Sequence, residues 1–283
     1  MQSRPERTAP WTPPSKRFVV AGSGPSLLAL DPARIDAEST IVRVNNFFFE
    51  ETYHLGRRAD LVQVGGDRWI FPFYAATLKK LVAEGTYSVG AWSCHQRHVI
   101  ARGQRALDLP FMPLGYRDAA AEKAITGLIE AHDKTPTTGI LAIINAHALG
   151  AETITLAGID LYAAPDRYAH RLEGHSAALV QQIGTAGYNL KFHDPELDLA
   201  ILRYLADRAD VELYRSAPEA VALDFLPLAP VSASGLKAEP KRDALNDWVG
   251  WAGLWPIGAM RLARRTNEFQ RAVRKSLFKK GAP

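Results

Sequence analysis

The residues best suited to chemistry stand at the ends of short apolar runs. Phe18-Val19-Val20-Ala21 breaks into Gly22-Ser23-Gly24-Pro25-Ser26. Such small residues let the backbone approach a phosphate, with the N–H groups of the following helix start facing it. The same glycines also suit a plain tight turn between strand and helix. Thr40 to Val44 ends on Asn45-Asn46. A dinucleotide site wants a carboxylate there for ribose hydroxyls, whereas asparagine both donates to and accepts from an anionic ligand. Thr153 to Leu156 runs into Gly158-Ile159-Asp160, with Tyr162 and Tyr168 following. Two phenols can donate to a departing phosphate, or sit half-buried with their hydroxyls in water. Asp160 suits ribose hydroxyls or the capping of the next segment. Thr137-Thr138-Gly139 opens a helical stretch, where hydroxyl and N–H groups can bind a carboxylate or cap the helix. Eight histidines compete as general base: His54, His95, His98, His132, His147, His170, His175 and His193. A neutral imidazole is available for that task at cellular pH.

These residues need elements to hold them. Strands are expected at 18–21, 40–44, 59–64, 153–156 and 211–214, and helices at 138–150 and 197–205. Strands alternating with helices predict a doubly wound parallel sheet, which binds ligands at the carboxyl ends of its strands. Residues 1–16 hold four prolines and no apolar period, and are expected as a flexible leader. The folded domain is expected to span 17–230, with a linker and tail over 231–283.

The segments GSGPSLLALD, RVNNFFFEE and TTGILAIINAHALGAETITLAGIDLY, then HDPELDLAIL and ELYRSAPEAVALDFLPLAP, resemble in order and spacing the bacterial sialyltransferases of glycosyltransferase family 42. The resemblance covers roughly residues 17 to 230. It implies a single Rossmann-like domain, a GT-A-like variant, with a lid at about 163–192. The implied activity is inverting, metal-independent transfer of sialic acid or a related acidic sugar from a CMP donor to a glycan, such as a cell-surface lipooligosaccharide. No cofactor is expected. The resemblance assigns Tyr162 and Tyr168 to the leaving phosphate. Donor contacts are expected from Gly22, Ser23, Gly24, Pro25, Ser26, Asn45, Thr137, Thr138, Gly158 and Asp160, while Asn46 supports its turn.

It also selects the base. His175 sits in Gly-His-Ser, the wording found around the family's catalytic histidine, but His193 has the family's spacing, 31 residues beyond Tyr162 and five before Asp198. His193 is therefore the expected base, with His175 in reserve. A loop histidine paired with Asp194 is the competing role for His193. The chain departs from the family in two places: Ser23 replaces an asparagine, and Thr135 an arginine, with Lys134 the nearest cation. Both bear on which CMP sugar is accepted.

The net charge of +4 comes from the tail, since residues 257–280 hold eight Lys and Arg and one Glu. Trp248, Trp251 and Trp255 share a helical face there, and Phe269, Val273 and Leu277 another. Tryptophan beside Lys and Arg predicts peripheral attachment to an anionic membrane surface. The resemblance implies a bacterial membrane, and the first twenty residues, with no apolar stretch of a signal peptide, put the expected attachment on its cytoplasmic side. Packing on the body or on a neighbouring subunit is the alternative, so homo-oligomerisation stays open. Nucleic acid is not an expected partner, because no recognition motif accompanies the charge. The lone Cys94 excludes an intrachain disulfide. Two other functions compete, a Rossmann methyltransferase or oxidoreductase, and a membrane-tethered nucleotide-binding protein without catalysis.

Overall fold

The computed structural model describes residues 11–66, 68–163, 168–171, 173, 174, 176, 177 and 192–249, together with 259, 262, 265, 266 and 270. Strands β1 (Arg17–Ala21), β2 (Thr40–Val44), β4 (Arg58–Gln63), β5 (Ser88–Ser93), β6 (Thr153–Ala157) and β7 (Glu212–Arg215) form one sheet. Its order is β5-β4-β2-β1-β6-β7, with every pairing parallel. Two-residue strands β3 (Thr52–Tyr53) and β8 (Glu239–Pro240) pair antiparallel beside it. The helices are α1 (Phe71–Ala83), α2 (Arg97–Ala106), α3 (Ala119–His132), α4 (Thr138–Ala148) and α5 (Pro195–Ala206). The Rossmann-like parallel sheet is therefore observed.

Its central strands are buried on both faces, which is why β1 reads as a continuous apolar run and β2 as one interrupted only by Arg43, itself buried and paired with Glu50. Helix α4 is buried from Ile140 to His147 and lies across β1, β2, β4 and β6. Helix α5 begins where Asp194 accepts a hydrogen bond from the Glu196 amide and Pro195 takes the first helical position.

From β1 the chain moves outward through β2 and β4 to β5. It then crosses over to β6, on β1's other side. The strand order thus reverses between β1 and β6, and the crevice at their carboxyl ends is where such sheets bind ligands. The two loops there touch backbone to backbone. The Gly22 amide donates to Ala157 O and the Gly24 amide to Gly158 O, both at 2.9 Å.

Three expectations need correction. The segment after the glycine turn is a 3-10 helix of five residues, Pro25–Ala29, and is too short to offer a helix dipole. Its Ser26 amide is taken by the Asp160 carboxylate, so the turn is pinned to β6 before a helix can grow. Residues 11–16 of the expected leader lie along the body, where Ser15 and Thr40 exchange two hydrogen bonds. The expected linker from residue 231 is also stitched down. The Ser232 amide donates to Ala33 O, Leu236 to Ile35 O and Lys241 to Glu51 O.

Trp248 is 4% exposed and stacks on Phe73, so its indole cannot serve a membrane face. Trp251, Trp255, Phe269, Val273 and Leu277 lie outside the described residues. Among the described residues, no helix is long and apolar enough to cross a membrane.

The close approach at the crevice leaves no space for a side chain. A Cβ on Gly22 would stand 2.4 Å from Gly158 O and 2.9 Å from Ile159 Cδ1. Gly22→Ala is expected to cost about 1–3 kcal/mol through forced backbone movement, read as a lower urea midpoint. An unchanged midpoint would show that the two loops can part freely.

Candidate active site

Four loops converge at the carboxyl edge of the sheet. The first is the glycine turn after β1. A Cβ on Gly24 would lie 2.0 Å from Asp160 Oδ2, so only glycine lets Asp160 reach the Ser26 amide, at 3.2 Å. Burial raises the Asp160 carboxyl, opposed by its bonds to Ser26. Asp160 therefore does structural work with one oxygen, on the glycine turn and not on the segment that follows it, and ribose binding would fall to the other. The Ser23 hydroxyl is buried and makes no hydrogen bond among the described residues. A buried polar group of that kind is suited to a ligand oxygen.

The second loop follows β6. The Asp160 carbonyl accepts from the Ala163 amide at 2.9 Å, closing a turn whose central residues, Leu161 (φ 46) and Tyr162 (φ 59), are both left-handed. Side chains with a Cβ resist this region, and such strain persists where the surroundings impose it, often at functional sites. The turn leaves Tyr162 40% exposed at the strand end. Tyr168 comes back to the glycine turn, because the Ala169 amide donates to Ser23 O at 2.8 Å. Its ring stacks on His170, with centroids 5.4 Å apart.

The third loop is the Asn45-Asn46 turn after β2. Asn45 takes φ 50, and its Oδ1 accepts from the Gly65 amide at 2.7 Å. A Cβ on Gly65 would meet Asn45 Oδ1 at 2.9 Å and Thr138 Oγ1 at 3.2 Å, so Asn45 and Thr138 flank one glycine. The start of α4 also reaches the glycine turn. Cβ atoms on Gly22 and on Gly139 would each touch Ile159 Cδ1, at 2.9 and 2.8 Å. Thr137 caps α4 without a side-chain hydrogen bond, so the plain capping role is not the one its hydroxyl plays. The amides opening α4 face this junction with their positive dipole end, a setting that favours a carboxylate or phosphate.

The fourth loop carries His193. Its Nδ1 lies 2.7 Å from Thr135 O, and the Thr135 amide donates to Phe192 O at 2.8 Å. A carbonyl can only accept, so Nδ1 carries the proton and the lone pair of the neutral ring is on Nε2. Asp194, the competing partner for His193, accepts from His132 Nδ1 at 2.8 Å. Asp198 accepts from the Thr137 amide at 3.0 Å, tying α5 to the start of α4. The spacing from His193 to Asp198 thus reflects two anchors, both on residues 135–137. His175 lies outside the described residues.

The structure brings together Gly22, Gly24, Ser26, Gly158 and Asp160. It places Tyr168 beside Ser23, and sets Asn45, Thr138 and His193 around the lead-in to α4. Pro25 takes the first position of the 3-10 turn. Gly65, Asp198 and Ile159 were not expected as parts of the site. A glycine pair at a strand end was the sole signal for Gly65. His95, at the end of β5, is pulled down to about 4 by burial and then by His193 and His98, which places all three imidazoles within electrostatic reach. Among the described residues, no group of His, Cys, Asp and Glu side chains is arranged to hold a metal ion.

Residues 16–101 match the sequence profile of the family described as alpha-2,3-sialyltransferase (CST-I). The sialyltransferase CstII from Campylobacter jejuni, solved with CMP-3FNeuAc, shares 25% identity and a TM-score of 0.70, over 85% of this chain and 95% of that one. The chain is similar to the bacterial sialyltransferases. The monofunctional alpha-2,3-sialyltransferase Cst-I from Campylobacter jejuni superposes with a TM-score of 0.71 over 94% of this chain and 99% of that one, at 21% identity. CST-II in complex with a trisaccharide acceptor and CMP gives 0.63 at 23% identity, over 85% and 95% of the two chains. Among curated proteins none matches the chain by sequence. These matches bear out the sialyltransferase resemblance and, with it, the glycosyltransferase class and the fold.

Burial lifts the Asp198 carboxyl from 3.8 to about 6, against its hydrogen bonds to Thr137. A raised carboxyl contributes stability that is full below its unfolded value of 3.8 and lost as the pH rises through about 6. Asp198→Asn keeps an acceptor for the Thr137 amide but cannot ionise. The variant should therefore gain on the wild type as the pH goes from about 4 to about 7, then hold level. Thermal unfolding of both proteins across that range checks this, and a pH-independent gap would mean an ordinary carboxyl.

Proposed function

We propose that the protein transfers sialic acid or a related acidic sugar from a CMP donor to a hydroxyl of a glycan acceptor, with inversion and without a metal ion. The observation that carries the reading is the bond from His193 Nδ1 to Thr135 O, at 2.7 Å. It fixes the tautomer that a general base needs, on the same lead-in that opens the anion-favouring end of α4.

In this reading the donor's cytidine phosphate lies along the glycine turn, and its carboxylate faces Thr137, Thr138 and the first amides of α4. Asn45, held by Gly65, contacts the donor between them. His193 Nε2 takes the proton of the acceptor hydroxyl as its oxygen forms the new bond to the anomeric carbon. The bond from that carbon to the phosphate oxygen breaks with its electron pair leaving on CMP. Attack and departure occur on opposite faces of one carbon, which inverts it. Tyr162 and Tyr168 donate to the departing phosphate, whose charge grows as the bond breaks. CMP carries a single phosphate, so two phenols and backbone amides can meet much of the demand that a diphosphate leaving group places on magnesium. The chain also has no Asp-x-Asp pair of the kind that holds such an ion.

His193→Ala should cut single-turnover transfer by about 100-fold to 10,000-fold while CMP affinity changes little. Near-normal transfer by that variant would remove His193 from the chemistry and bring His175 forward.

Turnover of a CMP sugar by the wild-type protein should also persist in excess EDTA. Loss of activity that magnesium or manganese restores would overturn the metal-free mechanism.

A further inference from the structure

The carboxyl-terminal segment reaches the Asn45-Asn46 turn. Trp248 Nε1 donates to Asn46 Oδ1 at 3.2 Å, beside the left-handed Asn45. Its ring lies 5.8 Å from Phe49, Phe49 lies 5.7 Å from His170, and His170 stacks on Tyr168 at 5.4 Å. Two rings, Phe49 and His170, thus connect Trp248 to Tyr168, whose hydroxyl is proposed to donate to the phosphate. The preceding residues hold the polypeptide just beyond Tyr168. Asp247 Oδ1 accepts from the Ser176 amide at 2.8 Å, Asn246 O accepts from Ser176 Oγ at 3.3 Å, and Asn246 Nδ2 donates to Glu173 Oε2 at 3.2 Å. Ser176 is fully buried by these contacts. At Gly174 (φ +53) a Cβ would stand 2.7 Å from Asp247 Oδ2, so the chain makes room for that carboxylate. The Val249 amide donates to Thr77 Oγ1 at 3.0 Å and moors the segment to α1.

We infer that Asp247 and Trp248 are positioning residues of the transfer reaction: they clamp the stretch carrying Tyr168 and the Asn45-Asn46 turn into one donor-binding frame. This rests on the reading of Tyr168 and Asn45 as donor contacts. Neither clamp residue touches donor in this arrangement. Asp247 sets where the chain after Tyr168 turns, and Trp248 sets the ring behind it together with the partner of Asn46.

The test uses the full chain and CMP as probe. Asp247→Ala should lower CMP affinity and single-turnover rate by about 10-fold each, while Asp247→Asn, which retains an oxygen acceptor for the Ser176 amide, should restore most of both. Trp248→Phe keeps the stack but loses the bond to Asn46, and should weaken CMP affinity more than rate. The clamp must also feel CMP, since coupling between two sites is reciprocal. Hydrogen exchange of the wild-type peptide over residues 246–249 should slow when CMP is bound, a readout that stands even if Asp247→Ala fails to fold. Wild-type affinity and rate in Asp247→Ala, or no CMP-dependent protection over 246–249, would overturn the inference. A wild-type protein that neither binds CMP nor turns over a CMP sugar would instead overturn the proposed function.

Discussion

The close approach of two loops at the strand-order reversal governs most of what lies around it. Gly22 and Gly24 donate into the backbone of Ala157 and Gly158, and no Cβ fits between them. This contact brings Asp160 onto the Ser26 amide and stops the following segment at a 3-10 turn. It also fixes where the chain leaves β6. The left-handed pair Leu161 and Tyr162 then turns the tyrosine outward at that strand end. Larger residues at either glycine would separate the loops, and with them the Ser23 carbonyl that receives the strand of chain after Tyr168.

The His193 side depends on a different set of contacts. Residues 135–137 use their backbone groups to hold His193, Phe192 and Asp198, and so join α4 to α5 before either helix has properly begun. That places the charge-favouring end of α4 and the imidazole lone pair on one short stretch of chain. The departure at Thr135 is informative here. Thr135 meets His193 and Phe192 through its carbonyl and its amide, and any residue type at this position carries those two groups.

Much of this was legible in the sequence. The parallel sheet follows from buried β-branched runs punctuated by glycine, and the ligand edge follows from the polar residues that end those runs. The expectation of His193 rested on its distances to Tyr162 and Asp198, and the second of these spans the bonds to Thr135 and Thr137. Gly65 and Ile159 were not found, since their role is steric and appears only when separate loops meet. The carboxyl-terminal segment was misjudged for a related reason. Proline, serine and glycine between 230 and 240 read as a linker, yet backbone bonds to residues 33, 35 and 51 fasten it, and backbone pairing leaves no residue pattern. Trp248 has the same spacing as the tryptophans after it, although its partners, Phe49 and Phe73, lie 199 and 175 residues away.

That separation has a consequence for how the protein is made. Lys241 Nζ donates to Phe48 O across 193 residues, and Trp248 reaches Asn46 across 202. Lys241 also lies near the buried pair of Arg43 and Glu50, while burial pulls its ammonium down to about 8. During synthesis the amino-terminal half of the sheet emerges with the Phe47 to Phe49 cluster unroofed and Glu50 short of one of its cations. Only the last part of the chain supplies both. Vectorial folding therefore cannot finish domain half by domain half, and a ribosome that stalls before residue 241 leaves an apolar surface suited to chaperones or to aggregation.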